Sequence, residues 1–302
     1  AEAFFNLGNT FKELNQLQEA KESYYKAIEL KPEFAEAFFN LGNTFKELNQ
    51  LEEAKNNYLK SIDLKNNYIN AYFNLANTLK ELNQLQEARN NYLKVIELKP
   101  DFANAYLNLA NTLKELNQPD EAEKNYLKAI EIKPDFANAY YNLGSTLIDL
   151  GKLYEAEIYT QKAIKVKPDF AEAYINLGTI LKDLGKTKEA EISIRKAIKI
   201  RPQSAYAYLN LGNILRDRGE LKEAKIKYYK ALELKPDLAR VYFALSILKT
   251  KDKNKPWYNK LFSNDIVKNK NREDQIDIYF ARANVLHYEK KYKESANFLK
   301  KG

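Results

Sequence analysis

A period of 34 residues runs through this chain, and no other feature narrows its fold as sharply. Ala20, Ala54, Ala88, Ala122, Ala156, Ala190 and Ala224 recur at that interval, as do Leu7, Leu41, Leu75, Leu109, Leu143, Leu177 and Leu211. The small residues Gly8, Gly42, Ala76, Ala110, Gly144, Gly178 and Gly212 keep step with them. Residues 1–17 and 35–51 are identical, which points to recent duplication. A segment this short cannot bury an apolar face alone, whereas stacked copies can. The chain is therefore expected to grow by adding units rather than by enlarging one core.

Each unit reads as two helices. In the first, apolar or small residues fall at positions 4, 7, 8 and 11 (Phe4, Leu7, Gly8, Phe11), the spacing of one helical face. It should stop at Asn15, Asn49, Asn83, Asn117, Gly151, Gly185 and Gly219, residue types that tolerate the left-handed conformation closing a helix. The second helix carries the recurring Ala and, four residues on, a residue such as Tyr24 or Tyr126. Pro32, Pro100, Pro134, Pro168, Pro202 and Pro236 forbid its continuation, because proline has no N–H to donate. Asp169-Phe170-Ala171-Glu172 then offers a capping-box-like start for the next unit.

Small residues at positions 8 and 20 and a Pro near 32, repeated every 34 residues, resemble the tetratricopeptide repeat (TPR). The resemblance implies an all-α fold, a right-handed α-solenoid of tandem 34-residue helix-turn-helix units. Seven units span 1–238 (1–34, 35–68, 69–102, 103–136, 137–170, 171–204 and 205–238), with Asn66, Val95 and Thr160 as departures. Residues 239–302 read as degenerate, capping repeat-like helices. Within them 239–250 look like a first helix, Lys251–Lys255 like a charged break, and Pro256-Trp257 opens a helix running towards Val267. Tyr279, Ala283, Leu286, Tyr292 and Ser295 recover the register, although Arg282 stands where Leu belongs. The segments 257–263 and 279–283 also resemble the stretch that joins repeats to a sulfotransferase-like domain in certain bacterial proteins.

With 45% apolar and 30% charged residues, and 22 Tyr and 15 Phe, the chain has ample material for burial. No stretch approaches the roughly 18 apolar residues of a membrane span. Zero Cys excludes disulfides, thiolate metal sites and Cys nucleophiles, and fits a cytoplasmic location. With no Met, and with residue 1 already inside a repeat, the sequence reads as a piece of a longer or engineered chain. The net charge of +8 is uneven. Residues 1–136 hold 16 Lys+Arg against 21 Asp+Glu, and residues 171–302 hold 29 against 16.

Function is sought on the remaining face of the first helices, positions 2, 5/6, 9 and 12/13. Position 6 is Asn6, Asn40, Asn74, Asn108, Asn142, Asn176 and Asn210. Position 9 is Asn9, Asn43, Asn77, Asn111, Ser145, Thr179 and Asn213. Asn is a mediocre helix former, so two per helix ask for a reason. A primary amide both donates and accepts, and can grip a peptide backbone whatever its sequence. Packed helices lie about 8–10 Å apart, which about three residues of extended chain span. The position-6 column is similar to the asparagine ladder of O-linked N-acetylglucosamine transferases, where it holds extended protein segments. Two other readings stay open: the amides bond each other and water between helices, or duplication merely copied them. If they grip a backbone, they should not be consumed within the array.

Phe5, Phe39, Phe73, Leu107, Tyr141, Ile175 and Leu209 are expected to be half packed between helices. Lys12, Lys46, Lys80 and Lys114 with Glu13, Glu47, Glu81 and Glu115 read as solvated pairs. The acidic column, with Glu2, Glu36 and Glu172, argues against clamping a C-terminal carboxylate in this groove. Basic clusters on later second helices (Lys188, Arg195, Lys196, Lys199, Arg201; Lys222, Lys225, Lys227, Lys230) read as a solvated face, and Tyr in core register argue against nucleic acid. His287 is the only His, and no phosphate-cradling Gly loop, metal-ligand spacing or nucleophile–base pair accompanies it. No catalytic residue, cofactor or metal is therefore assigned, and this segment is not expected to be an enzyme. The expected function is a scaffold binding protein or peptide segments in a concave groove. The alternatives are the substrate-presenting arm of a sulfotransferase-like enzyme, or a structural array. Phe4, Leu7 and Phe11 belong on a face that covers a preceding unit, so end-to-end self-association is expected too.

Overall fold

The computed structural model describes residues 1–248 and 256–302, and every regular element among them is helical. In chain order the helices are α1 (Glu2–Glu13), α2 (Leu17–Leu30), α3 (Ala35–Glu47), α4 (Leu51–Leu64), α5 (Ile69–Glu81) and α6 (Leu85–Leu98). They continue with α7 (Ala103–Glu115), α8 (Pro119–Ile132), α9 (Ala137–Asp149), α10 (Leu153–Val166), α11 (Ala171–Asp183) and α12 (Thr187–Ile200). The last are α13 (Ala205–Asp217), α14 (Leu221–Leu234), α15 (Ala239–Ile247), α16 (Pro256–Phe262), α17 (Arg272–Tyr288) and α18 (Tyr292–Leu299). Two compact units emerge, Ala1–Lys152 and Leu153–Gly302. In both, helices adjacent in sequence pack in pairs, as a repeat array requires.

The first helices end as their residue types demand. Asn15, Asn49, Asn83 and Asn117 take φ of 58–59°, and Gly151, Gly185 and Gly219 take 73–82°. Around Asn15 the closure is a Schellman motif: the Gln16 N–H donates to the Phe11 carbonyl at 2.8 Å and the Asn15 N–H to that of Lys12 at 2.9 Å. The capping-box start expected at Asp169–Glu172 does not form. Phe170 occupies the N-cap of α11 with no side-chain cap, because the ring is needed in the core, and Glu172 instead pairs with Arg201.

In the first unit the core is a column of tyrosines held against small residues. Tyr24, Tyr58, Tyr92 and Tyr126 are essentially inaccessible. A Cβ on Gly42 would stand 2.8 Å from the Tyr58 ring, and one on Gly8 would stand 2.6 Å from Tyr24. Ala76 and Ala110 fill the equivalent place in the third and fourth repeats, so there the pair accommodates one methyl. The half-packing expected at position 5 holds for its aromatics, the Phe39 ring lying 5.9 Å from Tyr58 and 4.9 Å from Tyr68, whereas Leu107 and Leu209 are buried.

In the second unit the cluster around Leu211, Leu215 and Tyr228 runs on into Tyr242 and Leu245 of α15, Trp257 and Leu261 of α16, and Ile278 and Ala281 of α17. Arg282 is buried here, not misplaced. Its Nε and Nη2 donate to the carbonyls of Leu261 and Ser263 at 2.8 Å each, closing the end of α16. The helix expected to run towards Val267 accordingly stops at Phe262, and Asn264–Val267 form a separate 3-10 turn. The charged break at Lys251–Lys255 and the end of the helix expected over 239–250 lie outside the described residues.

Candidate functional site

The two Asn columns of the first unit meet. Position 9 of one repeat and position 6 of the next are 31 residues apart, and stacking brings their amides together. Asn40 Nδ2 donates to Asn9 Oδ1 at 2.8 Å, Asn74 to Asn43 at 2.8 Å, Asn108 to Asn77 at 2.9 Å and Asn142 to Asn111 at 2.9 Å. The same oxygens accept a second bond from within their own repeat. Tyr24, Tyr58, Tyr92 and Tyr126 hydroxyls donate to Asn9, Asn43, Asn77 and Asn111 at 2.8, 2.8, 2.6 and 2.7 Å. A buried phenol must find a partner, and position 9 is where its ring ends.

Burial pushes the Tyr24 hydroxyl up to about 12, although the Asn40 amide beside it favours the phenolate. Tyr58, Tyr92 and Tyr126 are driven further up by deeper burial. Position 6 is also tied through its backbone, since the Thr44, Thr78, Thr112 and Thr146 hydroxyls donate to the carbonyls of Asn40, Asn74, Asn108 and Asn142 at 2.8–2.9 Å.

The expectation that the amides would be uncommitted therefore needs correcting: each position-9 oxygen from Asn9 to Asn111 accepts two bonds within the array and each position-6 amide from Asn40 to Asn142 donates one. What remains is specific. Asn43, Asn77 and Asn111 have spent their oxygen and keep both N–H groups. Asn40, Asn74 and Asn108 keep one N–H and the carbonyl oxygen. All six are half-buried.

Beside the columns runs a line of ion pairs that join successive repeats. Lys12 meets Glu47 at 3.1 Å, Lys46 meets Glu81 at 2.9 Å, Lys80 meets Glu115 at 2.9 Å and Lys114 meets Asp149 at 2.8 Å. These are the residues read as solvated pairs, and the pairing crosses repeats rather than staying within one helix. Their opposite charges cancel along the face. A polar cavity of about 500 Å³ opens there, lined by Lys46, Asn77, Lys80, Glu81, Asn108 and Glu115.

The second unit keeps a fragment of the pattern. Asn210 Nδ2 donates to Thr179 Oγ1 at 3.2 Å, and the Tyr228 hydroxyl donates to Asn213 Oδ1 at 2.9 Å. Its position-12 cations pair with their chain neighbours, Lys182 with Asp183 at 3.1 Å and Arg216 with Asp217 at 2.8 Å. Asn176 is half-buried, and Asn6 is exposed on α1. The basic clusters are partly neutralised, Arg195 by Glu191 and Arg201 by Glu172. His287 is exposed beside Tyr292, with ring centroids 5.2 Å apart. Among the described residues there is no group of three His, Cys, Asp or Glu that could hold a metal, and no helix long and apolar enough to cross a membrane.

Sequence reasoning missed the tyrosines as part of this face. The signal was available in the spacing of 15 residues between positions 9 and 24 of one unit.

Comparison with known proteins agrees with this architecture. A family model described as TPR repeat matches residues 8–49, 42–83, 76–117, 110–151 and 212–248. Models described as tetratricopeptide repeat match 137–170, 171–204 and 194–226. Among solved structures the chain is similar to YrrB, described as a TPR protein with an unusual peptide-binding site. The two share 26% identity at a TM-score of 0.54, over 62% of this chain and 96% of that one. It is also similar to MamA, with 26% identity and a TM-score of 0.51 over 54% of this chain and 95% of that one. A tetratricopeptide repeat protein from Parabacteroides merdae shares the fold at a TM-score of 0.63 and 20% identity, over 82% and 98%. Comparison with curated proteins gave no match.

Proposed function

Because the chain belongs to the tetratricopeptide repeat family, and so has the architecture of a protein-interaction scaffold, we propose that its first unit binds extended protein segments across the Asn columns. The observation that carries this reading is the unspent part of the network. Asn43, Asn77 and Asn111 each keep both N–H groups, and the neighbouring Asn40, Asn74 and Asn108 keep a side-chain oxygen, outside the bonds of the array. An extended backbone presents alternating C=O and N–H groups, and this face offers donors and acceptors that repeat along it. The bonds already made within the array hold each amide in one orientation, so binding costs little side-chain entropy. The neutralised Lys–Glu line adds no strong charge preference, which suits recognition of main chain rather than of a charged motif. That a similar protein, YrrB, is described as having a peptide-binding site supports the same reading.

The test is selection of random unstructured 15-residue peptides displayed on phage against the intact 302-residue chain, followed by side-chain amide NMR with a selected peptide. We expect selected peptides to share no charged motif and to move the Asn43, Asn77 and Asn111 NH2 resonances. Selection of no peptide, or peptides that perturb only residues outside these columns, would overturn the proposal.

A further inference from the structure

The exposed stripe of the second helices changes character between the two units. Positions 18, 22, 25 and 29 share one face of each second helix, being three or four residues apart. In the first unit position 22 is polar or charged (Glu22, Asn56, Asn90, Lys124), and position 29 is acidic. There the acid neutralises the lysine three residues before it. Lys60 meets Asp63 at 3.1 Å, Lys94 meets Glu97 at 2.8 Å and Lys128 meets Glu131 at 2.8 Å.

In the second unit both positions change. Position 22 becomes Ile158 on α10, Ile192 on α12 and Ile226 on α14, and these are 52%, 69% and 52% exposed. Position 29 becomes Lys165 on α10 and Lys199 on α12, so a second cation stands where the neutralising acid was. On α14 the pair persists as Lys230 with Glu233 at 2.7 Å. Lys165, Lys188, Lys196, Lys199 and Lys222 are exposed and make no ion pair among the described residues. Helices α12 and α14 each carry four cations against two carboxylates, whereas α8 carries two against four. A single exposed isoleucine is ordinary. The same one in three successive repeats, with the charge beside it reversed in two of them, asks for a partner.

We propose that the face formed by α10, α12 and α14 docks the protein on an anionic lipid surface. Lys188 and Lys196 stand four residues to either side of Ile192, and Lys222 and Lys230 flank Ile226 in the same way. Tyr154, 73% exposed, precedes Ile158 by one turn. A protein partner buries a contiguous apolar core, and isoleucines set singly among lysines supply none. A headgroup layer needs none, because each side chain enters the acyl boundary alone while the lysine stems carry their charges to the phosphates. Recurrence of one residue at one position over three repeats suits a surface that is uniform along its plane. The contact is peripheral, since no described helix is long and apolar enough to cross a membrane.

The intact chain is sedimented with sucrose-loaded vesicles of phosphatidylcholine alone, or of phosphatidylcholine and phosphatidylserine at roughly 3:1. We expect it to pellet with the anionic vesicles only, and to be released as salt rises above physiological strength. Lys165→Gln/Lys199→Gln removes charge, and Ile192→Ser/Ile226→Ser removes the inserting side chains. All four residues are exposed, so each pair should leave the melting temperature unchanged and lower vesicle affinity at least roughly tenfold. The chain has no Cys, so a nitrobenzoxadiazole label can be placed at one engineered site. At Ile192→Cys its emission should shift to the blue on anionic vesicles. At Asn56→Cys, the same position in the first unit, it should not. Equal binding to neutral vesicles, indifference to either pair of substitutions, or an equal shift at both labels would each overturn the proposal. So would the absence of vesicle binding, and a self-association that Ile192→Ser/Ile226→Ser abolishes would then assign the face to a second copy of the chain.

Discussion

At the scale of single residues, the array is set by what stands opposite each tyrosine. Gly42 faces Tyr58 so closely that a longer side chain must push the helices apart. Gly42→Leu should therefore destabilise the first unit by about 1–3 kcal/mol in a chemical melt, the cost of overpacking. Wild-type stability would remove the close-packing argument. Tyr58→Phe tests the other end of the ring. It strips one of the two donors from Asn43 Oδ1 and should cost about 0.5–1.5 kcal/mol. The position-6 and position-9 columns were legible in the sequence, and so was the close approach at position 8. That the two columns bond to each other was left open, because residues 31 apart become neighbours only once the stacking register is known.

At the scale of the helix, the stops of the first helices were legible and the start of α11 was not. A residue that must adopt positive φ announces itself as Asn or Gly, and Asn83 does so at 58°. Asn83→Ala should cost about 1 kcal/mol, the left-handed penalty for a side chain unable to bond locally, as read from urea denaturation. The start at α11 was misjudged because core rings such as Phe34 and Phe170 take the N-cap positions, and no side chain caps the helix at either of them.

Each of the four helix pairs from α1/α2 to α7/α8 also buries a phenol, which sets an alkaline limit. In the unfolded chain these tyrosines ionise near pH 10, whereas in the folded unit Tyr24 is pushed up to about 12 and its counterparts higher. The unfolded state therefore binds fewer protons between those limits. Stability should be intact below about pH 10 and fall steadily as the pH rises towards 12. Thermal melts followed by circular dichroism check this, and a transition unchanged up to pH 12 would contradict the burial.

At the scale of the whole molecule, Leu7 is 42% exposed on α1, whereas Leu41, Leu75, Leu109 and Leu143 are at most 2% exposed in the repeats behind it. We propose that this face mediates end-to-end association of the 302-residue chain. Sedimentation velocity should show mass rising with concentration, and Leu7→Glu should return it to the monomer. A monomeric wild type at high concentration would contradict this. The sequence predicted the repeat array and the starts of α15 and α16, but neither the end of α16 nor the role of Arg282. Arg282 looks like an error in a repeat pattern until it is seen to close α16, a short helix that no repeat consensus contains.

The central claim, that the first unit reads extended backbone through its Asn columns, has one discriminating variant. Asn43→Asp/Asn77→Asp/Asn111→Asp keeps the oxygens that Tyr58, Tyr92, Tyr126, Asn74, Asn108 and Asn142 bond, and puts a charged, acceptor-only oxygen in place of each free NH2 group. Fluorescence anisotropy of a labelled peptide selected on the wild type should show affinity falling at least roughly tenfold, at about 0.5–1.5 kcal/mol for each lost bond. The melting temperature should stay within a few degrees. Full affinity in the triple variant would mean that the amides serve the array alone, and the account would be wrong.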